Sequence, residues 1–328
     1  MVHDPVMACE DGTYYLLSTG RGLNWATSVD RKTWTVQSTP FIKEIPEWTH
    51  DSVPGFQNHV WAPDIVQWND RWWLAYSCST FGKNTSAIGL MSASHLNGEW
   101  QDEGCLVASR EGRDQWNAID PAFVVDDDEN LWMAWGSFWD GIQMARLKRE
   151  YKFERDIFEG ELMPFDGGLD DMTTLFVDRS TMKTIARRVA LRDTLKAEPN
   201  PTSHFAGRNA IEAPFIIRHG EWYYLFASWD YCCRGAKSNY RVAVGRSKQV
   251  DGPYLDRKGK PMEEGGGTIF LEGDKRNYEA AGHCAVYDLP TGETLFICHG
   301  YSKKMNGASI LIQRLITWTS DGWPKLDN

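Results

Sequence analysis

The sequence predicts an all-β chain folded as a five-bladed β-propeller. Three observations carry the prediction. First, a short motif heads an apolar run five times: His3-Asp4-Pro5-Val6-Met7, Val60-Trp61-Ala62-Pro63-Asp64-Ile65, Asn117-Ala118-Ile119-Asp120-Pro121-Ala122-Phe123, Ala210-Ile211-Glu212-Ala213-Pro214-Phe215-Ile216 and Gly282-His283-Cys284-Ala285-Val286-Tyr287. Second, each copy is followed by a polar turn and an aromatic-rich apolar run, the pattern of a β-hairpin. Third, the hairpins recur at a coarse spacing of roughly 60 to 90 residues, and each is followed by further strand-like segments, which gives the four-stranded content of a propeller blade.

In blade one, Glu10-Asp11-Gly12 turns the chain into Tyr14-Tyr15-Leu16-Leu17. A third strand at 23–28 and a fourth beginning at Thr33-Trp34 complete it. In blade two, Asn69-Asp70 precedes Trp72-Trp73-Leu74-Ala75-Tyr76, followed by 88–94 and Glu99-Trp100. In blade three, the turn at 126–130 precedes Leu131-Trp132-Met133-Ala134-Trp135, and its acidic run Asp126-Asp127-Asp128-Glu129 reads as a solvated face. Residues 151–209 then break the rhythm with charge and weak alternation. They read as the outer part of blade three and an extended connection to blade four, with a short helix.

Blade four has Trp222-Tyr223-Tyr224-Leu225-Phe226, then 242–247 and a fourth strand near Gly252-Pro253-Tyr254. Gly265-Gly266-Gly267 reads as a flexible lead into blade five; no Lys-Ser/Thr follows, so it is not a phosphate loop. Blade five has Thr294-Leu295-Phe296-Ile297, then 310–315 and Gly322-Trp323-Pro324. The expectation is one catalytic domain over residues 1–328.

The chain has 328 residues and is 42% hydrophobic, ample for a full core. A net charge of −10 argues against a nucleic-acid partner, because phosphate binding needs a basic surface. No apolar run reaches the length of a membrane span, and no signal peptide is visible before Asp4. The seven cysteines are scattered without metal-ligand spacing; mostly buried thiols and no disulfide framework are expected. Most of the sixteen tryptophans read as sheet core, with a few in loops as platforms for sugar rings.

The first strand of a propeller blade lines the central axis. Asp4, Trp61, Asp120, Glu212 and His283 head those strands, so they should converge although they are remote in sequence. Taken singly, an Asp before Pro is a turn or cap residue. Three acids at equivalent places of a repeat are different: crowded carboxylates are costly unless protonated or paired. Such groups are usually held for chemistry. Two carboxylates flanking a bond suggest glycoside hydrolysis, one as general acid and one as base or nucleophile. A third can raise the pKa of the proton donor and hold it in place.

With these motifs, together with Gly136-Ser137-Phe138-Trp139 and Tyr231-Cys232-Cys233-Arg234-Gly235, the chain resembles glycoside hydrolase family 43, and within it the endo-1,5-α-L-arabinanases. The resemblance covers nearly all of the chain and is weakest over 151–209. It implies an inverting, endo-acting hydrolase of α-1,5-linked arabinan. Asp4 would be the general base, Glu212 the general acid, and Asp120 the residue that tunes and orients Glu212. Inversion implies roughly 6.5–9.5 Å between base and acid.

The resemblance also implies a calcium or similar ion at the axis on His283, an atypical site because calcium prefers oxygen ligands. No organic cofactor is implied. Substrate contacts would come from Trp61, Gly82, Asn117, Ala118, Ile119, Ser137, Phe138 and Trp139, although each aromatic among them is equally readable as packing. A monomer is expected. The substrate class implies a secreted or periplasmic enzyme, while the missing leader leaves a processed or cytoplasmic form open.

Two departures stand out. The acidic segment Asp166–Asp178 is longer than the family pattern and would close one end of the cleft, converting endo to exo cutting. Asp4 lies so near the start that either residues ordering its strand are missing or the C-terminal blade holds it. The alternatives are an exo-arabinanase, an α-L-arabinofuranosidase or a β-xylosidase on the same scaffold, and a sugar-binding propeller without catalysis.

Overall fold

The structure is a computed structural model, and it describes residues 1–151 and 173–327. Five antiparallel sheets form the five blades of a propeller. Blade one contains Val6–Glu10, Thr13–Ser18, Asn24–Ser28 and Thr35–Val36. Blade two contains His59–Trp68, Arg71–Cys78, Ser86–Ala93 and Gln101–Ser109. The short strand Gly20–Arg21 leaves blade one and pairs with Val60 and His59 of blade two.

Blade three contains Ala122–Val125, Leu131–Trp135, Ile142–Tyr151 and Thr173–Val177, with Lys183–Ala186 also paired to the third of these. Blade four contains Ile211–His219, Trp222–Trp229, Arg241–Ser247 and Thr268–Leu271. Blade five contains Tyr278–Asp288, Thr294–Ser302, Ala308–Trp318 and Pro324–Leu326.

The inner strands read as continuous apolar runs because both faces of each sheet are covered by a neighbouring blade. All of Ser86–Ala93 is buried. Leu17 of blade one packs with Leu74 and Tyr76 of blade two. Trp73 and Ile88 pack with Met133 and Trp135 of blade three. Met144 packs with Leu225 and Trp229 of blade four, and Phe226 with Phe296 of blade five and Met7 of blade one. Each such large side chain taken from water contributes about 1.5–3 kcal/mol.

Two strand assignments differ from the sequence reading. Gly265-Gly266-Gly267 leads into the outer strand of blade four, since Thr268 pairs with Val244, and blade five begins only at Tyr278. Gly252-Pro253-Tyr254 is a connection folded under that blade, with the Tyr254 hydroxyl bonded to the Val250 carbonyl. The glycine run is a turn of the same blade because Gly267 accommodates the Trp229 ring, with no room for a Cβ. In the 151–209 region the described part holds strands at Thr173–Val177 and Lys183–Ala186 and short 3-10 turns at Arg179–Thr181 and Leu191–Lys196. The portion of the acidic segment from Asp166 to residue 172 lies outside the described residues.

Among the described residues the ring closes without strand exchange between blades five and one: blade five is built from its own stretch of chain. The C-terminal blade does hold the first residues. The Val2 N–H donates to the Ser309 carbonyl at 3.3 Å and the Met7 N–H to the Tyr287 hydroxyl at 2.8 Å.

Candidate active site

One residue at the head of each first strand has a left-handed backbone: Asp4 (φ 53°), Ala62 (44°), Asp120 (57°), Ala213 (52°) and His283 (51°). That conformation is costly for residues with a side chain, and a partner must hold it. Here the partner comes from the preceding blade in every case. The N–H of Ala62 donates to Thr19 Oγ1 (2.9 Å), Asp120 to Ser77 Oγ (3.0 Å), Ala213 to Asp120 Oδ2 (3.0 Å), His283 to Ser228 Oγ (2.8 Å) and Asp4 to His299 Nδ1 (3.1 Å). These five hydrogen bonds run around the axis as a closed ring.

The ring corrects the sequence alignment. Ala62 and Ala213, not Trp61 and Glu212, are the repeat equivalents of Asp4, Asp120 and His283. The register is one residue out in blades two and four because the proline follows the left-handed residue, not the acid or the tryptophan. The predicted convergence nevertheless holds. Asp4, Trp61, Asp120, Glu212 and His283 all line one cavity of about 610 Å³.

Asp4, Asp120 and Glu212 are buried. Asp4 Oδ1 lies 2.8 Å from His3 Nδ1 and 3.0 Å from His283 Nδ1, and Oδ2 accepts from Thr19 Oγ1 at 2.5 Å. Burial pushes its pKa up, but His3 and His283 outweigh burial and hold the carboxylate well below its ordinary range. Glu212 Oε2 accepts from Ser137 Oγ at 2.7 Å. Burial raises the Glu212 pKa against the hydroxyls of Ser137 and Tyr240 and the His283 ring, and the Asp4 charge adds to the rise.

Asp120 is also pushed up, by burial first, with Glu212 and Asp4 adding to it. His283 goes to about 9: burial lowers it, and Asp4, Asp120 and Glu212 together more than reverse that. The site therefore holds one acid ionised and two biased towards the neutral form.

Asn117, Ile119, Ser137, Phe138, Trp139 and Gly82 line the same cavity. Ala118 does not: it is wholly buried, and its N–H is turned away to Ser109 Oγ at 2.8 Å. Phe138 and Trp139 are held in left-handed turns, with the Phe138 N–H on the Ile211 carbonyl at 2.8 Å. Phe81 is exposed at the cavity edge.

Among the described residues, two clusters bring three potential metal ligands together, His3–Asp4–His299 and His3–Cys232–Cys233; His283 belongs to neither. The sequence reads as mostly buried thiols with no disulfide framework; Cys232 and Cys233 are joined to each other as adjacent residues. Cys78, Cys284 and Cys298 are buried thiols, whereas Cys9 and Cys105 are exposed.

Sequence reasoning missed Thr19, Ser77, Ser228, His299, Tyr301 and Tyr240. A signal was present for the first four. Each is a polar residue in the last part of the second, largely apolar strand of its blade or, for Thr19, just past it. A fourth buried acid, Asp64, accepts from the Phe123 N–H at 2.6 Å and joins blades two and three.

The comparisons agree with this geometry. The sequence profile of glycosyl hydrolases family 43 matches residues 1–156 and 178–324. An extracellular exo-α-(1→5)-L-arabinofuranosidase of Cellvibrio japonicus is 39% identical over 99% of this chain and 86% of its own length. An extracellular endo-α-(1→5)-L-arabinanase of Bacillus subtilis is 37% identical over 99% of this chain and 87% of its own length. Among solved structures, an exo-1,5-α-L-arabinanase from a bovine ruminal metagenomic library superposes with a TM-score of 0.84 at 45% identity, covering 100% of this chain and 97% of that one. The Cellvibrio cellulosa α-L-arabinanase complexed with arabinohexaose gives a TM-score of 0.84 at 39% identity, covering 99% and 95%. With the propeller, the three buried acids and a match over nearly the whole length, the chain belongs to glycosyl hydrolases family 43.

Proposed function

We propose that this glycosidase hydrolyses α-1,5-linked L-arabinofuranose chains with inversion at the anomeric carbon. The observation that carries the reading is the opposite bias of two buried acids on one cavity: Asp4 held ionised and Glu212 pushed towards its protonated form by burial. That is the pairing a general base and a general acid need near neutral pH. Asp4 takes a proton from water as the water oxygen attacks the anomeric carbon. Glu212 gives its proton to the departing glycosidic oxygen. Asp120 positions Glu212 through the Ala213 N–H, and its nearby carboxyl disfavours a second charge.

The arabinan substrate is supported by the relatives, two of which act on α-1,5 linkages by their names. Endo cutting is the first reading. An exo mode is favoured by two contacts: Ser203 Oγ bonds the Gly82 carbonyl at 3.2 Å and Lys83 covers the Phe205 ring at 4.2 Å, so two cavity loops meet and wall one side. Action outside the cell is supported by the extracellular relatives. We take the working form to be a monomer; no helix of the described residues is long and apolar enough to cross a membrane.

A cation at the axis fits in a restricted sense. His283 Nδ1 faces Asp4, so Nε2 would be the ligating atom once it has given up its proton, and Asp4, the acid held ionised, would supply negative field. One imidazole nitrogen is a poor calcium site, so water would fill most of the shell. Such an ion would supply positive charge that makes the acids easier to ionise.

The test is digestion of debranched arabinan with product sizing and NMR of the first anomer released. A ladder of oligosaccharides means endo and a single short product means exo. The β-anomer first supports inversion; no release of arabinose or its oligomers sinks the reading.

A further inference from the structure

His3, His299 and Tyr301 form a hydrogen-bonded circuit that begins and ends on Asp4. The Asp4 N–H donates to His299 Nδ1 at 3.1 Å. A ring nitrogen that accepts carries no proton, so His299 is protonated on Nε2. The ring is wholly buried, which keeps it neutral. Its Nε2 lies 3.2 Å from the Tyr301 hydroxyl, and the Cys233 N–H donates to that same oxygen at 2.7 Å.

A hydroxyl accepts two hydrogen bonds and donates one. With both acceptor sites filled, the Tyr301 proton turns to His3 Nε2, 3.1 Å away. His3 must then carry its proton on Nδ1, which donates to Asp4 Oδ1 at 2.8 Å. The rings of His3 and His299 stack at 3.8 Å, which fixes their planes.

The donors on Asp4 are unequally shared. Oδ1 faces both His3 Nδ1 and His283 Nδ1 (3.0 Å), and Oδ2 faces Thr19 Oγ1 alone among the described residues. A carboxylate has about four lone-pair sites, two on each oxygen. One remains open, and it is on Oδ2.

We propose that Tyr301 is a positioning residue for hydrolysis. By setting the tautomer of His3 it saturates Asp4 Oδ1 and leaves Oδ2 as the atom that receives the proton of the attacking water. The proposal rests on the reading of Asp4 as the base. In the step, the water O–H breaks towards Oδ2 and its oxygen bonds the anomeric carbon. The glycosidic C–O bond breaks, and the leaving oxygen takes the Glu212 proton.

The test has a part that needs no substrate. Long-range 15N–1H NMR of the histidine-labelled protein should show His3 protonated on Nδ1 and His299 on Nε2. Tyr301→Phe keeps the edge-on packing against His299 and removes only the hydroxyl. It should lower kcat on linear arabino-oligosaccharides about tenfold with KM within about twofold, as expected for an interaction worth one hydrogen bond in the transition state. It should also change the His3 tautomer.

Combined with His3→Asn, it should cost no more than His3→Asn alone, because residues in one circuit are not additive. The Ser238 hydroxyl also faces Tyr301. If Ser238 takes the Tyr301 proton, the His3 tautomer does not change in Tyr301→Phe and the proposal is overturned. Unchanged kcat in Tyr301→Phe overturns it too. A wild-type protein inert on arabinan overturns the hydrolase reading, and with it the role of the circuit, while the tautomers stand by themselves.

Discussion

The Asp120 carboxylate accepts a hydrogen bond at 3.0 Å from the N–H of Ala213, the residue that follows Glu212. Blade three thus grips blade four through an acid at the place where the other blade pairs use a hydroxyl or a histidine. Asp120→Asn keeps an acceptor and removes the charge. Glu212 then ionises more easily, so the alkaline limb of the rate profile should move to lower pH. The measurement is kcat/KM against pH; an unmoved limb would show that Asp120 does not bias Glu212.

Glu212→Gln and Asp4→Asn each remove one proton-transfer group without changing its size. Turnover should fall by about 10²- to 10⁴-fold in each. Calorimetric titration with arabino-oligosaccharides should still show binding. Wild-type rates in either variant would refute the assigned roles.

Asp64 is buried, and burial raises its pKa to about 7 against the Phe123 and Ile65 N–H groups and His283. A folded-state pKa above the unfolded one gives stability present at low pH that is lost as pH rises. From about pH 4 to about pH 7 the wild type should therefore lose stability relative to Asp64→Asn, which can still accept from Phe123. Urea midpoints of the two proteins across that window should diverge; parallel curves would mean that Asp64 stays ionised.

Gly282 sits against the Tyr240 ring so closely that an added Cβ would lie 2.2 Å from Tyr240 Cδ1. Gly282→Ala should cost roughly 1–3 kcal/mol in overpacking. It should also lower kcat, because Tyr240 is a hydroxyl partner of Glu212. A variant as stable and active as wild type would place Tyr240 outside the site's support.

The latches themselves are testable. Ser77 is wholly buried, and Ser77→Ala leaves the Asp120 N–H without its acceptor. A buried donor without a partner costs about 1–3 kcal/mol. Chemical denaturation should report that loss, and no change in midpoint would mean that another group fills the gap.

The blades were legible because each inner strand is covered on both faces and so writes an apolar run into the sequence. The acids were legible because Asp4, Asp120 and Glu212 each precede or nearly precede a proline. The exact register was not. Glu212 and Trp61 sit one residue before the left-handed position, and backbone handedness leaves no mark on a string of side chains. Ala118 was misplaced for a similar reason: between Asn117 and Ile119, both on the cavity, the local turn carries it inward. The support around Asp4 was invisible because His299 and Tyr301 lie almost a full chain length away. The Asp4 side chain can meet them only after the last blade docks on the first.

That docking is a seam. It is stitched by hydrogen bonds from Val2 to Ser309, Asp4 to His299 and Met7 to Tyr287, with no strand of the described residues shared across it. Warming should loosen this joint ahead of the sheets beside it, and Asp4 stands directly on it. Catalysis should fade at temperatures where far-ultraviolet circular dichroism still reports intact sheets, so a staple across the joint is the place to seek heat tolerance.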